Sequence, residues 1–130
     1  MKRIKLLIVD DNANFRETIK QLLLSYSEIE VVGEAEDGEK AIESLQQLLP
    51  DVVLMDISMP KMDGLEVTRY IKERYPHIGV IILTIHGNKE YQIEAERAGA
   101  AGYLVKKDTS AKLLIGAIKS VYQKFQRSQS

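Results

Sequence analysis

Cysteine is absent from the 130 residues, which excludes a disulfide framework and any thiolate zinc site and suits a reducing cytoplasm. An excess of charge of either sign is also absent. With 18 Lys and Arg against 19 Asp and Glu, no global field exists to hold nucleic acid or an anionic membrane, so any charge-based function has to be local. No apolar run approaches membrane-spanning length. The opening MKRIKLLIVDD has a basic start and a short apolar run, but acids interrupt it and no small-residue cleavage site follows, so a first strand is expected there. Neither GxGxxG nor GxxxxGK occurs, which ranks a dinucleotide or flavin site last. Repeats, low-complexity segments and internal linkers are missing too. The length is that of one domain able to bury a core without a structural metal.

What is present is an alternation. Apolar runs at 4–9, 29–35, 51–55, 79–85 and 100–105 are separated by helix-length segments. The runs lack clean period-two patterning, which predicts strands covered on both faces, as in a parallel sheet. Between them the apolar period becomes helical: Phe15, Ile19, Leu22 and Leu23; Ala41, Ile42, Leu45, Leu48 and Leu49; Leu65, Val67 and Ile71; and, most clearly, Leu114, Ala117, Ile118, Val121, Tyr122 and Phe125. Asp37-Gly38 and Gly64 open helices, Pro50 and Pro76 close them, and Asp108 or Ser110 can cap the last. Five βα units follow, with a parallel sheet and helices on both faces joined by right-handed crossovers. The fourth helix, about residues 89–98, is the weakest, because KEYQIEAERAG is heavily charged with a thin apolar face of Tyr91, Ile93 and Ala95. The domain is expected over 1–125, with 126–130 a polar tail or the start of a linker.

Open parallel sheets bind ligands beyond the carboxyl ends of their strands. The first strand ends in Asp10 and Asp11, the third in Asp56, the fourth in Thr84 and the fifth in Lys106, so three carboxylates, a hydroxyl and an ammonium should meet at one edge. Any one of these taken alone reads blandly. A strand-end Asp is most often a turn or cap residue, Asp11-Asn12 could simply cap the first helix, and Lys106 could be a solvated surface lysine. Together they point to chemistry. Packed acids resist ionising unless a cation is supplied, and magnesium, which takes hard oxygen ligands and substrate phosphate, is the natural one. With cation and ammonium beside it, Asp56 would stay ionised and could attack phosphorus to make an aspartyl phosphate.

The pieces IVDDN at 8–12, DISMPKMDG at 56–64, LT at 83–84 and AGAAGYLVK at 98–106, in that order and spacing, make nearly the whole chain similar to bacterial response-regulator receiver domains. The resemblance implies a flavodoxin-like (βα)5 fold with strand order 2-1-3-4-5, and a sensor histidine kinase that passes a phosphoryl group to Asp56. It implies Asp11, Asp56 and the Ser58 backbone carbonyl as Mg2+ ligands, with Asp10 holding the metal's water. Thr84 would hydrogen-bond the phosphoryl group and Lys106 would neutralise it. Tyr103 resembles the aromatic that turns inward when Thr84 moves, although a plain core aromatic fits the same position. Phosphorylation would then repack Thr84, the HGNKE loop, the fourth helix and Tyr103, with a homodimer possible. GYLVKKD resembles the LuxR or NarL-type branch, whose members append a DNA-binding helix-turn-helix domain. DNA binding would therefore act through a C-terminal domain that this sequence does not include.

Two departures stand out. Ile85 follows Thr84 where the family usually has a small residue, and is expected to crowd the path to Asp56; Lys107 stands where many relatives carry proline. His86 could orient or block an attacking water, but reads more simply as an exposed loop residue. A haloacid-dehalogenase-type phosphatase shares the strand-end Asp and magnesium, but needs a second Asp two places on, where Ser58 stands. A phosphate-independent receiver-like interaction module is the other alternative.

Overall fold

Among the described residues the strands and helices alternate: β1 (Ile4–Val9), α1 (Ala13–Leu23), β2 (Ile29–Ala35), α2 (Gly38–Leu48), β3 (Val52–Met55), α3 (Gly64–Arg74), β4 (Gly79–Thr84), α4 (Lys89–Ala98), β5 (Gly102–Val105) and α5 (Ala111–Gln129), with a 3-10 turn at Lys106–Asp108. The computed structural model describes residues 2–129, with side chains through residue 126. All strand pairs are parallel, in the order β2-β1-β3-β4-β5. This is the doubly wound sheet expected from the alternation of elements.

The two faces of the sheet sort by residue parity. Leu7, Val9, Val53, Met55, Val80 and Ile82 pack with Ala41, Leu45, Val67, Ile71 and Ala95 of α2, α3 and α4. Leu6, Ile8, Val52, Leu54, Ile81 and Leu83 pack with Ile19, Leu23, Leu114, Ile118 and Val121 of α1 and α5. Every residue of β3 and β4 is buried, which explains the unbroken apolar runs there. The outer strands differ from expectation. β5 is half-buried along its length and β2 exposes Glu30 and Glu34, because an edge strand has a neighbour on one side only. A bulge between Leu6 and Leu7 shifts the β1–β2 register.

Four helices are capped by side chains. Asn12, Asp37 and Asp63 accept from Phe15, Lys40 and Glu66 N–H, and Ser110 Oγ accepts from Leu113 N–H, so Ser110 rather than Asp108 caps α5. The exception is α4, whose Asn88 makes no cap hydrogen bond and which buries only Ala95 and Ala98. It ends on Gly99 at φ 103°, a conformation that favours glycine. Where a polar tail or the start of a linker is expected, α5 continues from residue 126 to Gln129, since Gln and Arg are good helix formers and no Gly or Pro stops the turn. Ser130 lies outside the described residues. No described helix is long and apolar enough to cross a membrane.

Candidate functional site

Strand pairing brings the acids together. Val9 lies opposite Met55, and Asp56 N–H donates to the Val9 carbonyl at 2.9 Å, so Asp10 and Asp56 follow two neighbouring strands at the same level. One carboxylate oxygen from each of Asp10, Asp11 and Asp56 falls within 4.8 Å of the others. Asp10 is 2% exposed and bracketed on both oxygens: Asn12 N–H donates to Oδ1 at 2.9 Å and Lys106 Nζ to Oδ2 at 2.7 Å. The Lys106 ammonium also sits 3.9 Å above the centre of the Phe15 ring, so the first turn of α1 fixes where that charge stands. Arg16 reaches the Asp10 carbonyl at 2.6 Å.

Asp56 is 6% exposed, and its carboxyl is pushed up to about 6. Burial is the first cause, followed by the charge of Asp10. Lys106 pulls the other way, Asp11 adds to the rise, and the Ser58 N–H holds it down slightly. Three carboxylates against one ammonium in so small a volume form a donor set that could hold a hard divalent cation.

Glycine explains the turn that follows. Gly64 N–H donates to the Ile57 carbonyl at 2.9 Å, and a Cβ there would stand 2.0 Å from the Asp56 carbonyl oxygen. The start of α3 can press against the end of β3 only because residue 64 has no side chain. Lys61, at φ 70°, is left-handed in the same loop. That loop leaves Ser58 exposed beside the acids.

On β4, Thr84 is fully buried and its Oγ1 accepts from His86 N–H at 3.3 Å. Tyr103 is half-buried and its hydroxyl donates to the His86 carbonyl at 2.6 Å. Burial lifts the Tyr103 phenol above its ordinary value, with Tyr91 adding to the rise. Ile85 does not pack inward: it is 68% exposed, standing one residue beyond the end of the fully buried strand.

The sequence-expected residues Asp10, Asp11, Asp56 and Lys106 therefore meet at one edge, with Thr84 and Tyr103 alongside. One participant was not foreseen and another was read too blandly. Phe15 reads in the sequence as one member of a helical stripe, although its place in the first turn after the acids was a usable signal. His86, read as a loop residue, touches four partners: its Nε2 lies 2.7 Å from Ser58 Oγ, its ring stacks on Tyr91 at 4.6 Å, and its backbone meets Thr84 and Tyr103.

A doubly wound α/β domain with an acidic, cation-ready rim and an ammonium at 2.7 Å defines the class. The chain belongs to the response regulator receiver domain family, whose model matches residues 6–119. It is 45% identical over 121 residues to the transcriptional regulatory protein DegU of Brevibacillus brevis, covering 93% of this chain and 51% of that one. It is 40% identical over 120 residues to a protein-glutamate methylesterase/protein-glutamine glutaminase of Pyrococcus horikoshii, covering 91% of this chain and 32% of that one. Among solved structures, the signal receiver domain of NarL from Mycobacterium tuberculosis matches with a TM-score of 0.87 at 30% identity, covering 95% of this chain and 98% of that one. The chain spans about half the length of the DegU relative. Neither a phosphatase nor a phosphate-independent module is favoured, and the position two beyond Asp56 carries a hydroxyl, not a carboxylate.

Proposed function

We propose that Asp56 is the phosphoryl acceptor of a two-component relay. The observation that carries this is the meeting of Asp10, Asp11 and Asp56 within 4.8 Å, with Lys106 at 2.7 Å from Asp10. In the transfer, an Asp56 carboxylate oxygen forms the bond to phosphorus while the bond from phosphorus to the histidine nitrogen of a sensor kinase breaks. Asp11, Asp56 and the Ser58 carbonyl hold Mg2+, with Asp10 acting through a water; the ion supplies positive charge for the phosphoryl oxygens. Lys106 neutralises the new charge and Thr84 donates to it. The domain acts as an acceptor that changes shape, turning over only its own phosphoaspartate, in the cytoplasm alongside its kinase.

The added charge biases Thr84, α4 and Tyr103 toward a second arrangement. The similarity to DegU, a transcriptional regulatory protein, supports a LuxR-type DNA-binding role through a further C-terminal domain, and a homodimer formed on phosphorylation is part of the same proposal. Intact mass after incubation with acetyl phosphate and magnesium tests the reading. One added phosphate, lost in Asp56→Ala, supports it. No added phosphate indicates a mute module, and steady turnover of phosphoesters indicates a phosphatase.

A further inference from the structure

The imidazole of His86 joins two parts of the molecule. On one side is Ser58, in the loop after β3 that runs directly from Asp56, with its Oγ 2.7 Å from His86 Nε2. On the other is Tyr91, in the first turn of α4, stacked on the imidazole with ring centres 4.6 Å apart and planes 26° apart. That first turn has little else to fix it, since Asn88 makes no cap hydrogen bond and the buried residues of α4, Ala95 and Ala98, lie further along. Tyr91 itself is 36% exposed.

We propose that His86 is a positioning residue that couples α4 to the loop carrying Ser58, one edge of its ring holding Ser58 and its face holding Tyr91. A displacement of α4 by a partner is then felt beside Asp56, and a rearrangement at Asp56 is felt on the α4 surface, to the same extent in both directions. This use of the link rests on the receiver reading; the link itself does not.

A second route between site and surface runs through the same residue's backbone, because Thr84 Oγ1 meets its N–H and Tyr103 its carbonyl. Substituting the side chain leaves that route in place, which lets the two be separated. His86→Phe keeps a ring to stack on Tyr91 and loses the hydrogen bond to Ser58. His86→Gln keeps a polar group for Ser58 and loses the stack.

The test reads amide chemical shifts of the phosphate-free protein, so its failure is distinct from a failure of Asp56 to take phosphate. With His86 present, Ser58→Ala is expected to move the amides of residues 91–95. In the His86→Phe and His86→Gln backgrounds the same change should move them less, by roughly half or more. The reciprocal measurement, Tyr91→Leu read at the amides of residues 58 and 59, should show the same loss. Equal shifts in all three backgrounds, or no α4 response with His86 present, would overturn the proposal.

Discussion

Lys106 and Asp10, 96 positions apart in sequence, form an ion pair of 2.7 Å in which both side chains are largely withdrawn from water. An ammonium in that place does two things. It gives the buried Asp10 carboxylate a charged partner, and it lies beside Asp56, whose carboxyl it pulls down against burial and two acidic neighbours. Removing it strands Asp10. Lys106→Met should cost about 3 kcal/mol, the order expected when one partner of a buried pair is lost. Urea unfolding in EDTA measures this, and part of the loss should return when magnesium is added. A cost near zero in EDTA would mean that Asp10 does not depend on the lysine.

Asp56 makes the opposite contribution. Its folded value of about 6 stands above the ordinary 3.8, so the folded chain holds a proton that the unfolded chain releases. Below the unfolded value both states are protonated and nothing is lost. As pH rises through the window between the two, stability falls, and above it the ionised carboxylate costs about 3 kcal/mol. Asp56→Asn should therefore be more stable than the parent at pH 7.5 in EDTA, with the advantage gone near pH 4. The difference between the two proteins isolates Asp56 from other titrating acids. Magnesium should raise the parent's Tm more than the variant's; an unchanged gap across the pH range would count against a strained carboxylate.

The acids were legible because the chemistry sits at strand ends, and strand ends are marked locally by a change from apolar to polar. The same holds for the caps Asn12, Asp37 and Asp63, each a short polar residue before a helical stripe. The charged, uncapped sequence of α4 likewise announces a helix with little buried surface. What stayed hidden depends on how loops fold back. His86 meets Ser58 across 28 residues and Tyr91 across the turn into α4, and neither approach leaves a periodic trace. Lys106 above Phe15 is hidden for the same reason. The continuation of α5 beyond residue 125 was not anticipated because polar side chains were read as disorder, whereas Gln and Arg are good helix formers.

Ile85 separates sequence from structure most sharply. A branched residue after Thr84 suggests a blocked approach to Asp56, but the side chain is 68% exposed and so contributes little packing around the site. Ile85→Ala should change the rate of phosphorylation by acetyl phosphate by less than about twofold, as expected for an exposed side chain outside the packed geometry. Stopped-flow fluorescence or timed intact-mass sampling would give the rate. A large acceleration would restore the crowding idea.

Gly64 is where fold and chemistry depend on one atom. A Cβ at this position would stand 2.0 Å from the Asp56 carbonyl oxygen, 2.8 Å from its carbon and 3.0 Å from the Ile57 Cα. All three are backbone atoms, so no rotamer change relieves the clash. Either α3 retreats, breaking the Gly64 N–H to Ile57 carbonyl bond, or the end of β3 moves and takes Asp56 with it. Gly64→Ala should cost about 2 kcal/mol, the usual scale of overpacking. Because Asp56 must stay close to Asp11 for a shared cation, a small shift of β3 should also weaken magnesium binding and slow phosphorylation by at least about tenfold. Measuring both quantities distinguishes the two responses. If α3 retreats, stability falls while magnesium affinity holds; if the segment that begins at Asp56 moves, both fall together. The packing of β3 between β1 and β4, with every residue buried, resists a purely local shift of that strand. The strain therefore passes to the short segment from Asp56 to Gly64, which also carries Ser58, and the combined loss is the expected outcome.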